Sequence, residues 1–520
     1  MSKRLLVAVA IAAALTAVTV GGSGIAGAQK NAKVDPDARL VFGMNMAGGG
    51  FSQRLEPSAS TSICDVSVGY QVFGTLIRRD TKTNKPVPNL AESWEIVDPS
   101  TFTFKLRPNL TFQDGTKLDA AAAKAALDKS RQPTTALARS ATTLQLISSV
   151  EAGADGRTVT VRLSQPVAGI LPLTFAGREG MIAAAASTDT NPIGAGPFKF
   201  DSQTVGQQIK LSKFPGYWDA KNVKLAGIDY VHTDTAQNAV NSVIAGDLDM
   251  IEGAGLANAP AENDPNVKIE EVSGADYWKL NINTAKPPFD NPDFRKAINY
   301  AIDKDAIAKA LFGDHAEIAT QSYPSNFVDQ YQKDLANRYP YSVKKAKAAL
   351  KKSGVQTPIT VQGVGPANNP NFARFGEIVQ ANLKEIGINV ELSQSPNILT
   401  TFFANKQGDF VTTLWPARPD PSVTIQRNFT PNQITNAGNN LSPELPTLLA
   451  EIQAAESPAD ARAAYKKAVN IIVDEAYEVP VFFPTLTNVH RDYVTSNDWQ
   501  LYGTCQGVDF SKLAITTKKG

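Results

Sequence analysis

Residues 414–423, LWPARPDPSV, bring chemically distinctive side chains together in a proline-rich stretch. Trp415 offers a large apolar surface, Arg418 a guanidinium that binds carboxylates or phosphates through paired hydrogen bonds, and Asp420 a carboxylate. The three prolines restrict the backbone, which lowers the entropy that the segment loses when it holds a ligand. The composition fits a rigid ligand-binding loop. It fits equally well a stiff turn in which Arg418 pairs with Asp420 or points to solvent.

Catalytic and metal-binding signatures are absent from the sequence. It contains no Gly-x-Ser-x-Gly motif, no His-Glu-x-x-His motif and no Gly-Lys dipeptide of a phosphate-binding loop. The three histidines, His232, His315 and His490, are far apart and lack metal-ligand spacing. We therefore expect no enzyme, no metal site and no cofactor. Because a glycosidase-type pair of carboxylates needs no fixed motif, a secreted α/β hydrolase remains an alternative.

The first 28 residues have the pattern of a secretory signal peptide. Lys3 and Arg4 precede an uncharged apolar run at 5–20, and the small residues at 26–28 provide a cleavage site. We therefore predict an exported protein, periplasmic or extracellular, and expect no lipoprotein anchor because no cysteine lies near the cleavage point. The 520 residues predict two or three domains, and the net charge of +1 gives no indication of nucleic-acid binding.

Hydrophobic periodicity predicts a mixed α/β chain. A β-region is expected at 101–116 and a strand at 158–167, followed in the second half by strands at 357–364 and 388–392. Helices are expected after a cap at Asp119, at 292–312, between the last two strands, and at 458–475. Strand, helix and strand with tight connections predict a βαβ unit with a parallel pair of strands.

Several segments carry a resemblance to a known family. Residues 74–120 contain Pro-x-Leu-Ala-x-Ser-Trp and then Phe-x-Leu-Arg-x-x-x-x-Phe-x-Asp-Gly, and NPIGAGPFKF at 191–200 is similar to a Gly-Thr-Gly-Pro-Tyr turn, with Ala195 replacing threonine. GYWDA (216–220), AGDLDM (245–250), LNINTAKPPFDNPDFRKAINYAIDK (280–304) and LKEIGINVEL (383–392) follow in the same order. Together they resemble the solute-binding proteins of peptide- and nickel-type ABC importers, bacterial extracellular solute-binding protein family 5.

The resemblance implies a two-lobed α/β periplasmic binding protein fold, with discontinuous domains joined by two crossing strands. After the signal peptide predicted at 1–28, the implied segments are lobe one at 29–73, 196–280 and 494–520, an inserted subdomain at 74–195, and lobe two at 281–493. Because both termini then belong to lobe one, a Cys64–Cys505 disulfide fits the fold and export, and two buried free thiols are the alternative. The strand containing Leu280 to Asn283 is the predicted hinge.

The resemblance also implies a function. The protein would capture a peptide or related small organic ligand between its lobes by hinge closure and deliver it to a membrane permease of an ABC transporter. We expect a monomer that binds no nucleic acid. Besides the hydrolase, the alternative is a binding protein for a non-peptide anionic ligand, used in transport or sensing.

The proline-rich stretch has a counterpart in the family, where a tryptophan-containing loop of lobe two ending in Asp-Pro lines the cleft. Trp415, Asp420 and Pro421 match it. Peptide-binding members commonly carry an acidic residue inside this loop, where the amino terminus of the peptide binds, but here Ala417 and Arg418 stand in its place. We therefore predict that Arg418 contacts a negative group of the ligand, or that the ligand is not an ordinary free-amine peptide. Further predicted ligand contacts are Met46, Tyr277, Trp278 and Asn436. The alternative for Met46 is a flexible glycine loop, for Tyr277 and Trp278 packing in the core, and for Asn436 a turn.

Overall fold

The structure is a computed structural model. It describes residues 33–45, 54–59, 65–135, 142–166, 174–252, 255–274, 276–327, 330–367, 370–416, 421–431, 435–436, 438, 441–455, 458–503 and 507–517. Its strands in chain order are β1 (Arg39–Asn45), β2 (Ile77–Arg79), β3 (Pro86–Pro88), β4 (Ala91–Asp98), β5 (Thr101–Leu106), β6 (Ile147–Ala152), β7 (Thr158–Leu163), β8 (Phe198–Thr204), β9 (Gln208–Lys213), β10 (Gly227–Thr233), β11 (Met250–Glu252), β12 (Val267–Ser273), β13 (Asp276–Ile282), β14 (Ala316–Ile318), β15 (Ile359–Pro366), β16 (Ile388–Ser395), β17 (Phe410–Pro416), β18 (Glu478–Arg491), β19 (Val494–Ser496), β20 (Leu501–Gly503), β21 (Gly507–Val508) and β22 (Leu513–Ile515).

The α-helices of the described residues lie between these strands, singly or in succession. They are α1 (Asp65–Val72), α2 (Ala120–Ser130), α3 (Ala236–Ala245), α4 (Ala259–Glu262), α5 (Pro292–Ala301), α6 (Lys304–Phe312), α7 (Val343–Ser353), α8 (Pro370–Lys384), α9 (Pro421–Phe429), α10 (Glu444–Ala454) and α11 (Pro458–Asp474). The mixed α/β composition predicted from periodicity is confirmed.

A twelve-stranded sheet runs through the molecule and has two halves. The order is β16-β15-β17-β13-β18-β11-β1-β10-β9-β8, and β12 and β14 also pair with β18. In one half β1 is parallel to β10 and β11; in the other β15 is parallel to β16 and β17. Each half carries its own hydrophobic core, so the molecule has two lobes, named here lobe one (around β1) and lobe two (around β13).

Two neighbouring strand connections join the lobes. Residues 478–484 of β18 pair with β13 and β14, and residues 485–491 pair with β11 and β12. Beside this change of partner, β12 ends at Ser273 and β13 begins at Asp276. The hinge predicted in the strand containing Leu280 to Asn283 stays a prediction. That strand is β13, and its Leu280 is paired on both sides, with Thr412 and Val479, inside the lobe-two sheet. The crossing between the lobes lies between Ser273 and Asp276, at the start of this strand.

A separate four-stranded sheet, β4-β5-β7-β6, packs with α2 between segments of lobe one. In β5 the alternating sequence TFTFKL buries Phe102 and Phe104 on one face, where both rings contact Phe175. Asp119 caps α2 by accepting a hydrogen bond from the backbone N–H of Ala122, as predicted.

The glycine turn at 194–196 fastens this subdomain to lobe one. A Cβ on Gly194 would lie 2.3 Å from Cα of Phe73, and one on Gly196 would lie 2.3 Å from the carbonyl oxygen of Gln71. Both positions exclude any larger residue because the turn packs directly on the backbone at the end of α1.

Two predicted elements of lobe two can be compared in detail with the structure. The βαβ unit is confirmed, with β15 parallel to β16 and α8 between them. The single helix expected at 292–312 is wrong, because the chain forms two helices separated at Ile302 and Asp303. Asp303 leaves the helical conformation and caps α6 by accepting from the N–H of Ala306.

Candidate ligand-binding site

The space between the lobes is bounded by the ends of β1 and β17. Strand pairing shows that β1 runs toward the crossing from lobe one and that β17 runs toward it from lobe two, where Trp415 lies opposite Tyr277. The two strands therefore end, at Asn45 and at Pro416, on the sides of their sheets that face the crossing. The sequence places Met46 just after the first strand and Arg418 just after the second.

The two lobes also touch away from the crossing. The side-chain amide of Asn326 in lobe two donates a hydrogen bond to the carbonyl oxygen of Thr81, at 3.1 Å. Val423 of α9 packs against the core of the four-stranded subdomain. The helix that follows the proline-rich stretch thus contacts the subdomain.

Trp415 is half-buried at the end of β17. Its ring meets Phe403 edge-on, with centroids 5.7 Å apart, and the guanidinium carbon of Arg427 lies 5.8 Å from its centroid. The indole N–H is buried and has no hydrogen-bond partner. A buried donor without a partner is costly in a folded protein and is common where a ligand or an ordered water supplies the acceptor.

Several predicted residues lie outside the described part of the chain. These are Met46, Arg418, Asp420, Cys64 and Cys505. For the cysteines, the neighbouring segments are described: α1 starts at Asp65, and the side-chain amide of Gln71 donates to the carbonyl oxygen of Val508 at 3.2 Å. The segments that flank the two cysteines therefore pack together.

The adjacent aromatic residues of β13 point to opposite faces of the sheet. Trp278 is 3% exposed in the lobe-two core, where its ring stacks on Phe372 and Phe482 at 4.5 and 5.3 Å between centroids. Its prediction as a ligand contact needs correction, since strand alternation directs it into the core. Tyr277 is also buried, stacked on Phe483, and its hydroxyl donates to Glu478 at 2.6 Å.

A buried cluster of charged and polar groups lies on the Tyr277 face of the sheet. Lys279 is fully buried, and its ammonium nitrogen lies 2.5 Å from Glu478, which is 5% exposed. Tyr277 and Ser322 donate to the other carboxylate oxygen, at 2.6 and 2.9 Å. Three donors converging on one carboxylate are the arrangement of an ionised acceptor. Burial lowers the pKa of Lys279, although Glu478 opposes this effect.

This cluster supports the walls of the gap. Its Lys279 ammonium lies 5.8 Å from the ring centroid of Phe429 in α9, and its Tyr277 stands opposite Trp415 on β17. Sequence reasoning missed Lys279 and Glu478, which are 199 residues apart. The available signal was a charged residue beside an apolar run in each strand, because a charge on a strand buried on both faces needs a partner.

Asn436 is buried and hydrogen-bonded to the backbone. Its side-chain amide donates to the carbonyl oxygen of Thr430 at 2.8 Å. It also lines a small cavity of about 10 Å³ together with Glu478, Asn281 and Tyr477. Residues 437, 439 and 440 lie outside the described residues, so both the turn at 436–440 and the contact of Asn436 with a ligand stay predictions.

The described residues contain neither a candidate metal-binding cluster nor a candidate membrane-spanning helix. No group of three or more His, Cys, Asp or Glu side chains there is arranged to hold a metal ion. Among the same residues, no helix has the length and apolar character needed to cross a membrane.

Comparison with known proteins assigns the family. The model of the middle part of bacterial extracellular solute-binding proteins, family 5, matches residues 85–437. The chain belongs to this family. A curated relative, glutathione-binding protein GsiB of Escherichia coli O6:K15:H31, is 27% identical over 436 residues, which cover 78% of this chain and 82% of the relative.

Solved structures agree with the two-lobed fold. HbpA2 from Haemophilus parasuis matches with a TM-score of 0.80 at 22% identity, over 92% of this chain and 100% of that one. DppA from Helicobacter pylori, in complex with the peptide STSA, matches with a TM-score of 0.73 at 22% identity, over 93% and 99% of the two chains. As a family 5 member, the chain is a solute-binding protein of an ABC importer and not an enzyme, and proteins of this family work in the periplasm or outside the cell.

Proposed function

We propose that this family 5 protein binds a small peptide-like ligand that carries a carboxylate, in the gap between β1 and β17. Closure of the lobes about the crossing at 273–276 buries the ligand for presentation to the permease. The observation that carries this proposal is the buried, unpartnered indole N–H of Trp415, at the lobe-two edge of the gap. A carboxylate or carbonyl oxygen supplies the acceptor that this donor needs.

The charges near Trp415 favour an anionic group. Arg427 lies beside the ring of Trp415, and Arg418 is three residues after Trp415 in the sequence. A guanidinium group binds a carboxylate through two parallel hydrogen bonds. An ammonium group on a ligand cannot accept these hydrogen bonds. The name of the glutathione-binding relative is consistent with this proposal, because glutathione is a small peptide with carboxylate groups. Asp420 and Met46 complete the proposed lining, from the sequence segments that follow the two strands.

The domain division stays a proposal, with one adjustment. The cores support lobe one at 29–73, 196–280 and 494–520, the subdomain at 74–195 and lobe two at 281–493, except that β13 pairs wholly within lobe two. We therefore place the boundary near residue 275. We also propose that the N-terminal segment directs export, that the protein acts as a monomer, and that Cys64 and Cys505 form a disulfide.

The test uses the ligand extracted from the protein as isolated from its own host. Calorimetric titration of ligand-free wild type and Arg418→Ala should show that the variant binds more weakly by about 2–5 kcal/mol, as for the loss of one partner of a buried charge pair. Arg374→Ala, which removes an exposed arginine of α8, is the matched control and should bind as the wild type does. Equal affinity of Arg418→Ala and wild type would remove Arg418 from the site.

A further inference from the structure

A histidine of lobe two lies between two carboxylates of lobe one. His315 stands in the turn between α6 and β14, and its Nδ1 lies 2.5 Å from Oε1 of Glu271 on β12. Its Nε2 lies 3.1 Å from Oε1 of Glu262, the last residue of α4. These three side chains, named here the His315 clamp, are separated by 44 and 53 residues in sequence and connect the lobes.

The clamp lies beside the crossing strands. The carbonyl oxygen of His315 accepts a hydrogen bond from the N–H of Thr485, which pairs with Ser273 at the end of β12. The next residue after His315, Ala316, pairs with Pro484, the last residue of β18 on the lobe-two side. Rotation of the lobes about this crossing therefore changes the distances between the imidazole ring and the two carboxylates.

The geometry specifies the protonation state of the ring. An ionised carboxylate only accepts hydrogen bonds, and a neutral imidazole has a single N–H. Both nitrogens of His315 face a carboxylate oxygen, so both contacts form together only when the ring is an imidazolium. In the neutral ring one nitrogen lone pair would face a carboxylate, which is repulsive.

The charged groups set against the ring among the described residues come from lobe one. They are Glu262 from α4 and Glu271 from β12, and β18 contributes only backbone at Thr485. In the same segment of lobe two, Asp314 is next to His315 in the sequence, and the carboxylate of Glu317 accepts hydrogen bonds from Ser325. Burial opposes the charge, but the two carboxylates outweigh it and raise the pKa of His315 above its ordinary value.

We propose that the His315 clamp makes the angle between the lobes depend on proton concentration. With the ring protonated, the clamp holds the arrangement of this structure, in which the lobes touch. With the ring neutral, one contact is lost and the lobes move apart more readily. The sign follows from linkage: the clamp is complete below the ordinary histidine pKa of about 6.5 and is lost as the pH rises through the raised value. This inference depends on the lobe rotation proposed above.

The experiment needs no ligand, so its failure can be separated from failure of the proposed binding site. The imidazole resonances of the full chain are followed by NMR against pH and assigned with His→Gln variants of the three histidines. His315 should titrate above about 6.5 and return toward that value in Glu262→Gln/Glu271→Gln. Titration of His315 at or below about 6.5 in the wild type would overturn the proposal.

Small-angle scattering provides the conformational readout. The radius of gyration of wild type should be larger at about pH 8.5 than at about pH 6. Between these pH values we expect the equilibrium between the two lobe arrangements to shift roughly fivefold, which is the small end of allosteric couplings. The shift is small because both carboxylates are partly exposed. His315→Gln should have the same radius at both pH values, and His232→Gln, which alters a histidine of lobe one, should respond as wild type does. An equal pH response in wild type and His315→Gln would overturn the proposal.

Discussion

The buried pair Lys279–Glu478 predicts a large and pH-dependent loss of stability in Glu478→Gln. The substitution keeps the shape of the side chain but leaves a fully buried ammonium without a counter-charge. Breaking a buried ion pair in this way costs about 3–5 kcal/mol. A second argument gives the same size: the variant can instead deprotonate Lys279, and doing so at about pH 7 against an ordinary pKa of about 10.4 costs about 4.6 kcal/mol.

The pH dependence distinguishes this explanation from a packing defect. In the folded variant Lys279 is neutral, whereas in the unfolded chain it is protonated, so the unfolded state binds more protons and stability rises with pH. The deficit relative to wild type should shrink by about 1.4 kcal/mol per pH unit between about pH 7 and pH 9. Equilibrium urea unfolding at both pH values, followed by circular dichroism, measures this change.

Two further variants complete this test. Glu478→Gln/Lys279→Met removes both charges and should recover most of the lost stability. Glu151→Gln removes a carboxylate from an exposed ion pair with Arg162 and should unfold close to wild type at either pH. A loss below about 1 kcal/mol in Glu478→Gln, or a deficit that does not change with pH, would refute the reasoning about the buried pair.

Three other predictions concern the core, the glycine turn and the cysteines. Trp278→Ala should destabilise the protein by about 3–5 kcal/mol in urea unfolding, because it empties a stacked core position, and a near-neutral effect would contradict the core placement. Gly194→Ala should cost about 1–3 kcal/mol or more, because the new methyl group meets backbone atoms, and unchanged stability would show that the turn can move. Mass spectrometry of unreduced, denatured protein should find neither Cys64 nor Cys505 labelled by a thiol reagent, whereas two labelled thiols would disprove the disulfide.

The parts of the fold that depend on local patterns could be predicted from the sequence. Alternation in β5, the cap at Asp119 and the succession of β15, α8 and β16 are signalled by residues close together in the chain. The break between α5 and α6 was missed because apolar spacing continues through it, and only the conformation of Asp303 separates the helices.

The parts that depend on pairing between distant segments could not be predicted. Tyr277 and Trp278 are both aromatic, so residue type does not show which of the two rings faces the lobe-two core. The position of β13 between β17 and β18 decides which face of the sheet each ring occupies. The partners of His315 come from lobe one, so no spacing in sequence announces the clamp. The position of the crossing also depends on such pairing, because it is defined by where β18 changes partners.

The central claim is that the protein binds and delivers a small carboxylate-bearing ligand. Native mass spectrometry of the protein isolated from its own host tests this claim most directly. The account predicts one small molecule bound to each chain, released by denaturing extraction, carrying a carboxylate, and unchanged in mass after prolonged incubation with fresh protein. A bound molecule that lacks an acidic group would contradict the proposed ligand class. Conversion of the molecule to a product would contradict the assignment as a binding protein.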